Sequence, residues 1–180
     1  MTKLLSALLL AAAFIPAQAA TLQPAKSDLS FTFKQMGVPV DGKFTKFDAQ
    51  LDFDPKKPEA GKIAFTVDLG SVSLGDASFD AEVAKAPWFD TKRNGKATFV
   101  SSGIKPTGAG KYDVAGKLTI KGASRDVVVP ITVASGVASG SVAIKRLDFK
   151  IGDGEWADTS MVANDVQVKF KLLFNGVAPL

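Results

Sequence analysis

The stretch GKLTIKGASRDVVVPITV, residues 116–133, has the pattern of a β-hairpin. Apolar and polar side chains alternate on both sides of Gly122-Ala-Ser-Arg125, whose small and polar residues predict the turn. Two strands with one apolar face each are not stable alone in water. This face therefore needs a second layer of protein, or a ligand, packed against it. Its apolar positions are Gly116, Leu118, Ile120, Val127, Val129, Ile131 and Val133.

The same alternation recurs along the chain and predicts about eight strands. Turn residues such as Asp54-Pro-Lys-Lys-Pro58 and Gly108-Ala-Gly110 separate them. We expect mostly antiparallel pairing, in either a β-sandwich or a closed barrel. A barrel of about eight strands has an interior just wide enough for side chains or for one small ligand. The predicted strands are residues 27–35, 42–54, 62–70, 96–105, 111–121, 125–134, 137–150 and 165–175.

The alternation slips by one residue at two places. One slip lies between Phe44 and Phe47, and the other between Ile144 and Leu147. A one-residue slip turns every later side chain to the opposite face of the sheet unless a bulge absorbs it. Because bulges bend strands, both slips predict a sheet that curls and closes.

One segment, GDASFDAEVAKAPWFD at residues 75–90, departs from the strand pattern. Phe79 and Val83 are four residues apart, Asp76 or Ser78 can cap the start of a helix, and Pro87 stops it. The pattern predicts a short helix near residues 77–85. We expect this helix to serve as a lid across one end of the sheet.

Composition excludes several classes of function. The chain has 180 residues, no Cys, no His and a formal net charge of +4. The length indicates a single domain, and the absence of His excludes a Ser-His-Asp triad or a histidine-ligated zinc site. The Lys residues are dispersed and form no basic stripe with interleaved aromatics, which argues against nucleic-acid binding.

Residues 1–19 have the pattern of a secretory signal peptide. Lys3 provides the positive region, residues 4–15 are an apolar run, and Ala17-Gln18-Ala19 is the cleavage site. The run is shorter than the roughly 20 apolar residues of a spanning helix, so an uncleaved anchor is disfavoured. We expect residues 20–180 to be a single exported domain. Its lack of Cys fits a bacterial periplasm.

Four motifs, in order, resemble the YceI family of secreted lipid-binding proteins. They are SDLSFTFKQMGVPVDGKFTKFDAQLDFDP (27–55), FDAEVAKAPWFDTKRNGKATFVSS (79–102), LTIKGASRDVVVPITV (118–133) and IKRLDFKIGDGEWADTSMVANDVQVKF (144–170). The resemblance covers essentially residues 22–175. It implies a lipocalin-like barrel of eight antiparallel strands with a lid helix. It also implies that a long polyisoprenoid or related lipid is bound inside.

This chain departs from the family pattern at one position, and one of its loops narrows the expected ligand. Family members often carry His after the Lys of the first strand, where this chain has Gln35. Gln keeps the hydrogen bonding but does not titrate near neutral pH, so a role of that His does not carry over. The loop GEWADTS, residues 154–160, resembles a periplasmic branch whose members sometimes occur with membrane cytochrome b proteins. A quinone-like lipid is therefore a narrower hypothesis.

Most of the 13 phenylalanines lie on apolar strand faces. A solid protein core is the simpler interpretation of these residues, and the family resemblance favours a tunnel. Ala49, Gly116 and Ala143 share the same faces and would leave room for a chain. Burying hydrocarbon is worth about 0.8 kcal/mol per methylene. We predict a lipid tunnel lined by Phe31, Phe33, Phe44, Phe65, Phe99, Leu118, Ile120, Val129, Ile131, Phe170 and Trp88.

Polar candidates for a lipid head group are Lys34, Gln35 and Arg146. Arg146 lies at the second slip of the alternation, so we expect it to point inward and meet an anionic or quinone-like group. The alternative is a buried ion pair of Arg146 with Asp148 or Asp126. The two tryptophans, Trp88 and Trp156, lie in predicted loops and either gate the tunnel or cap the core.

No catalytic residue, metal site or cofactor other than a bound isoprenoid lipid or quinone is predicted. The acidic residues Asp148, Asp153, Glu155 and Asp158 do not have the spacing of an EF-hand loop. Two alternatives stay open: a carboxylate-based enzyme on the same barrel, and a structural β-sandwich with a solid core. Expected partners are a long-chain isoprenoid lipid and, in addition, a membrane, a cytochrome b protein or a second copy of the chain in a homodimer.

Overall fold

A computed structural model describes residues 20–176 and shows one antiparallel sheet that closes on itself. The signal peptide predicted for residues 1–19 lies outside the described residues. The strands are β1 (Ala20–Leu22), β2 (Asp28–Gln35), β3 (Val38–Phe44), β4 (Phe47–Asp52), β5 (Lys62–Asp68), β6 (Val72–Ser73), β7 (Lys96–Gly108), β8 (Lys111–Ile120), β9 (Ala123–Ala134), β10 (Val137–Lys145) and β11 (Asp165–Asn175).

The sheet closes where its first strands meet its last. β11 pairs with β2 over residues 167–171, and its end pairs with β1, which pairs in turn with β4. Three of the eight barrel strands are interrupted, so that β1 with β2, β3 with β4, and β5 with β6 each make up one strand of the wall. The predicted eight-stranded antiparallel barrel is therefore confirmed, and the β-sandwich alternative is wrong.

The two slips of the alternation have different structural outcomes. At the first slip the chain leaves the ladder at Thr45, whose N–H donates to the carbonyl of Ser71, and the strand divides into β3 and β4. At the second slip, the prediction of a strand that continues to residue 150 is wrong. β10 ends at Lys145, and Arg146–Phe149 form a 3-10 helix instead.

The hairpin of residues 116–133 is present with a tighter turn than predicted. Ile120 pairs directly with Ala123, so that the turn consists of Lys121 and Gly122 alone. Both have positive φ, 49° and 74°. Two successive positive φ angles match the twist of the flanking strands and suit Gly at the second position. Residues 123–125, predicted as part of the turn, belong to β9.

The single α-helix among residues 20–176 is α1 (Ala77–Val83). Its N-cap is Asp76, and hydrogen bonds from the hydroxyl and backbone N–H of Ser78 lower the pKa of this carboxylate. Phe79 is 62% exposed, so the helix covers the cavity with Val83 rather than with the predicted apolar pair. No helix in this part of the chain has the length and apolar character to cross a membrane.

The segment between β10 and β11 closes one end of the barrel, and we call residues 146–163 the end plug. Phe149 and Ile151 of the plug are buried in one cluster with Ile120 from the tip of β8. Lys121 links the β8–β9 turn to two other segments at this end of the barrel. Its Nζ donates to the carbonyl of Lys150 at 2.6 Å and to that of Pro87 at 3.1 Å. At the opposite end, side chains of the wall themselves pack together, with the rings of Phe53 and Tyr112 in edge contact.

Three glycines on the inner face of the wall explain why the barrel is not filled by its phenylalanines. A Cβ on Gly42 would lie 2.4 Å from the Phe31 ring, one on Gly116 2.5 Å from the Phe99 ring, and one on Gly140 2.5 Å from the Phe170 ring. Each ring therefore occupies the space above a glycine, where a side chain would otherwise lie, and leaves room in the middle of the barrel. Gly116 accommodates Phe99 rather than a ligand. Ala143, predicted to face inward, is exposed outside.

Replacing Gly42 by Ala tests this packing. The added Cβ would overlap the Phe31 ring and the Leu74 side chain, and overpacking of this kind costs about 1–3 kcal/mol. We expect the free energy of unfolding, measured by urea denaturation, to fall by that amount. The matched control is Gly103→Ala in β7, where an added Cβ meets nothing within 4 Å. Equal losses in both variants would contradict the ring-over-glycine packing.

The wall is interrupted between β9 and β10. These strands pair only between residues 131–134 and 137–140, although β9 begins at residue 123 and β10 extends to residue 145. Pairing stops at Pro130, which has no N–H to donate. Val129 and Val142, on either side of the gap, line the cavity and are half-buried. The cavity therefore approaches the protein surface along this seam.

Candidate functional site: an apolar cavity inside the barrel

A cavity of ≈ 270 Å³ lies inside the barrel. It extends from the end plug, where Ile151 and Val162 line it, to Leu51 and Phe174 near β1. Ligand pockets generally have volumes of roughly 300–1,000 Å³, so this cavity is slightly smaller than that range. Its wall consists of apolar side chains and one glycine, with Arg146 as the single charged residue. Such a wall binds a ligand by removing hydrocarbon from water, not by hydrogen bonds.

The structure places every predicted tunnel residue on the cavity wall. Their contact with a lipid remains a prediction. All but Trp88 lie on strands, and these share the wall because alternate residues of a closed barrel face its interior. The residues are Phe31, Phe33, Phe44, Phe65, Phe99, Leu118, Ile120, Val129, Ile131, Phe170 and Trp88.

The sequence interpretation missed two kinds of wall residue. Val142 and Val168 lie on strand faces, and the alternation of β10 and β11 contains the signal that could have found them. Phe89, Ile151 and Val162 also line the cavity. They lie outside the strands, where no periodic pattern indicates which way a side chain points. The closed end of the site was therefore not predictable from alternation.

Arg146 lies at the plug end of the cavity and is 2% exposed. Its five N–H groups all donate to backbone carbonyls. Nε donates to Ala163 (3.1 Å), Nη1 to Ile151 (2.9 Å) and Gly152 (2.5 Å), and Nη2 to Trp156 (2.7 Å) and Val162 (2.7 Å). Because a guanidinium has five donors, none remains for a ligand. These bonds contradict the predicted direct contact of Arg146 with a head group and show that it holds the plug together.

The predicted alternative for Arg146, an ion pair, is also wrong. Among residues 20–176 no carboxylate lies within salt-bridge distance of Arg146. Asp126 pairs instead with Lys117 at 2.9 Å on the outer surface, and Asp148 is exposed. Burial removes water from the guanidinium and so lowers the pKa of Arg146. The residue therefore places a positive charge at the end of the cavity without a carboxylate beside it.

Lys34 and Gln35, the other predicted head-group residues, are exposed and do not line the cavity. Both lie at the end of β2, where the chain meets the end plug. The carbonyl of Lys34 accepts from the N–H of Ala163, and Gln35 forms a β-bridge with Val162. Their position secures the plug through the backbone, and the structure does not place their side chains at a head-group site within the cavity.

The two tryptophans lie together at the plug end. The ring centroids of Trp88 and Trp156 are 5.4 Å apart, and Trp88 is the one that lines the cavity. The Arg146 Cζ atom lies 6.0 Å from the centroid of the Trp88 ring. The Trp88 Nε1 is buried and has no hydrogen-bond acceptor among the residues that the structure describes. Both rings are packed against neighbours in this arrangement, which favours the capping role over a gate.

The acidic residues of the plug do not form a site at the cavity. Asp148, Asp153, Glu155 and Asp158 are all exposed, and none lines the wall. Asp153 lies 3.6 Å from Lys121. Hydrogen bonds from the Ser160 hydroxyl and N–H lower the pKa of Asp158. Within residues 20–176 there is no group of three His, Cys, Asp or Glu side chains that could hold a metal ion.

Known proteins share this fold. A UPF0312 protein of Ectopseudomonas mendocina is 36% identical over 88 residues, 49% of this chain and 46% of that protein. The matched region thus spans about half the length of the first curated relatives. The crystal structure of Burkholderia cenocepacia BcnA has a TM-score of 0.81 at 49% identity, covering 84% of this chain and 98% of that chain.

A more distant solved structure is a polyisoprenoid binding domain from Saccharophagus degradans, implicated in plant cell wall breakdown. Its TM-score is 0.67 at 17% identity, over 87% of this chain and 98% of that one, and this likeness establishes a common fold alone. The family model of the YceI-like domain matches residues 21–174, nearly all of the described barrel. The chain therefore belongs to the YceI family.

Proposed function

We propose that this protein is a non-enzymatic carrier that sequesters a polyisoprenoid or a similar long-chain lipid inside its barrel. The observation that carries the proposal is the cavity, whose wall is apolar from the end plug to Leu51 and Phe174. Burial is worth about 0.8 kcal/mol per methylene, so a five-carbon isoprene unit gains roughly 2–4 kcal/mol before entropy losses. A few units inside the wall are sufficient for tight binding.

Membership of the YceI family supports the proposal, as does the common fold with a domain described as polyisoprenoid binding. The wall distinguishes poorly between isoprenoids that differ only in length, because it offers no polar contacts along the chain. A quinone-like lipid is the narrower candidate within this class. A carboxylate-based enzyme has less support, since none of the plug acids lies on the cavity wall.

We place the carrier in the periplasm. Residues 1–19 have the signal-peptide pattern, and the chain has no Cys that a reducing or oxidising compartment would affect. A long isoprenoid is insoluble in water, and a closed barrel would shield it in the aqueous space between two membranes. Membrane surfaces, a cytochrome b protein or a second copy of the chain stay proposed partners.

Lipid extraction tests the carrier function. The protein is purified from a periplasmic fraction without detergent, extracted with organic solvent, and the extract is analysed by mass spectrometry. We expect an isoprenoid lipid in near-stoichiometric amount, and none in an extract of an unrelated periplasmic protein purified in the same way. Protein that carries no lipid, fails to take up added polyprenol and hydrolyses a substrate would overturn the carrier in favour of the enzyme.

A further inference from the structure

The seam between β9 and β10 is a long unpaired stretch of the barrel wall. These strands pair only over residues 131–134 and 137–140, next to the tight turn that joins them. Beyond this region, no ladder pair of the described sheet joins residues 123–130 to residues 141–145. Five residues of extended chain span about 16 Å, at roughly 3.3 Å each. The seam is therefore much longer than a single side chain is wide.

On their other sides, both strands are held by long ladders. Every residue of β10 pairs with β11, and β9 pairs with β8 from residue 123 to residue 132. The seam thus separates two blocks of sheet. The β9–β10 turn joins the blocks at one end, and the contacts of Lys121 with the end plug join them at the other. Between these two ends, widening the seam breaks no hydrogen bond of the ladder.

The side chains along the seam connect the surface of the protein with the cavity. On the outer rim, Val128 is 57% exposed, and Pro130 and Ala143 are exposed as well. Four inward-facing residues are only half-buried although they line the cavity, and they are Val127, Val129, Val142 and Ile144. An apolar chain that passes between the strands therefore meets apolar side chains on the rim and on the inner wall.

The two ends of the barrel are closed more firmly than the seam. At the plug end, the Arg146 guanidinium donates five hydrogen bonds to backbone carbonyls. Hydrogen bonds from a charged donor are stronger than those between neutral groups. At the opposite end, Tyr112 and Ile104 are buried and pack with Phe53. A lipid that entered through the plug would have to break the bonds of Arg146, whereas passage through the seam displaces apolar side chains.

We propose that the lipid enters and leaves the barrel sideways, through the seam between residues 123–130 and residues 141–145. The inference rests on the carrier function proposed above and adds the route by which the ligand exchanges. The seam widens as the two blocks of sheet move apart, and the apolar chain then passes between the valines of β9 and β10 into the cavity. The end plug stays in place throughout, so the barrel keeps its fold while it loads and unloads.

Tethers on the outer surface test this route, because the chain has no Cys of its own. Val128→Cys with Ala143→Cys places one thiol on each side of the seam, outside the cavity. The folded, lipid-free variant is crosslinked with dithiobis(maleimidoethane), and uptake and release of geranylgeraniol are followed by stopped-flow tryptophan fluorescence. We expect the tether to slow both rates by about tenfold or more and to leave Kd within about twofold, since it obstructs the path and not the bound state. Cleavage of the tether by a reductant should restore both rates.

Two further cysteine pairs are the matched controls. Val128→Cys with Ala115→Cys places the same tether across paired strands, because Ala115 is the ladder partner of Val128 on β8. Met36→Cys with Met161→Cys tethers the β2–β3 turn to the end plug. Both methionines are exposed, and the N–H of Met36 donates to the carbonyl of Met161 at 2.8 Å. Neither tether crosses the seam, so both rates should stay within about twofold of those before crosslinking.

A wider seam provides a second measurement that needs no crosslink. Val129→Ala with Val142→Ala shortens one inward-facing side chain on each side of the gap. Lost contacts with the lipid would speed release alone, whereas a wider passage also speeds uptake. We therefore expect the uptake rate of geranylgeraniol to rise by about threefold or more. This variant decides the question if the Val128 and Ala143 positions resist crosslinking.

Three results would overturn the inference. Unchanged rates with the tether across the seam would show that the lipid does not pass there. Slower exchange with the tether between positions 36 and 161 would place the route at the plug. Uptake at the wild-type rate in the double alanine variant would show that the seam does not limit entry. Failure of the wild type to bind geranylgeraniol is a different result, because it overturns the carrier function itself.

Discussion

Replacing Arg146 by Ala should lower the free energy of unfolding by about 3–5 kcal/mol, the usual cost of removing one partner from a buried charged network. The change deletes the five side-chain hydrogen bonds from Arg146, in the 3-10 turn after β10, to backbone carbonyls in the rest of the end plug. It leaves the carbonyls of Ile151, Gly152 and Val162 without their donor. Each buried carbonyl left unsatisfied costs about 1–3 kcal/mol. The total loss stays below the sum of these costs, because the plug can open and let water bind to the carbonyls.

Thermal and urea unfolding measure this effect. For a domain of this size, a loss of about 3–5 kcal/mol corresponds to a fall in Tm of roughly 6–20 °C. Hydrogen exchange should also become faster in the end plug before the strands are affected, because local opening precedes global unfolding. Arg146→Lys should be intermediate, since lysine keeps the charge with three donors in place of five.

The matched control for Arg146→Ala is Arg125→Ala. Arg125 is an exposed arginine whose one side-chain hydrogen bond in the described structure goes to the carbonyl of its neighbour, Ser124, at 2.8 Å. Removing it should change the free energy of unfolding by less than about 0.5 kcal/mol, as for ordinary surface substitutions. If the two alanine variants unfold at the same urea concentration, Arg146 does not hold the plug together.

Alternation along the chain predicted the antiparallel strands and much of the cavity wall, and the family resemblance decided for a barrel over a sandwich. A strand of a closed barrel presents every second residue to the interior, so the face that carries Phe31 and Phe33 could be assigned without knowledge of their partners. The same local rule placed Leu118 and Ile131 on one wall although they lie on different strands. Periodicity therefore predicted those parts of the site that belong to regular strands.

The plug end could not be predicted in the same way. The slip before Leu147 correctly indicated that Arg146 turns inward, but a cation in a sequence suggests an acidic partner or ligand. Its actual partners are backbone carbonyls, which every residue has and which no side-chain pattern reveals. Gly116 was misread for a related reason. A small residue can leave space for a ligand or for a neighbouring ring, and only the position of Phe99 decides between them.

A phenylalanine at position 49 should abolish most lipid binding without unfolding the barrel. Ala49 is a buried wall residue of β4, directly across the ladder from Phe65. A benzyl group there would occupy part of the ≈ 270 Å³ that the ligand needs. We expect affinity for geranylgeraniol to fall at least tenfold, or by about 1.4 kcal/mol. Cavity filling of this kind often raises stability by about 0.5–2 kcal/mol.

The combination of weaker binding with unchanged or higher stability separates cavity filling from damage to the fold. Ala143→Phe is the matched control, because it adds the same group to an exposed position on the outside of β10. Calorimetric titration with geranylgeraniol and urea unfolding are measured on both variants and on the wild type. Wild-type affinity in a stably folded Ala49→Phe protein would place the lipid somewhere other than in the barrel, because the new ring and an isoprenoid chain cannot occupy the same volume.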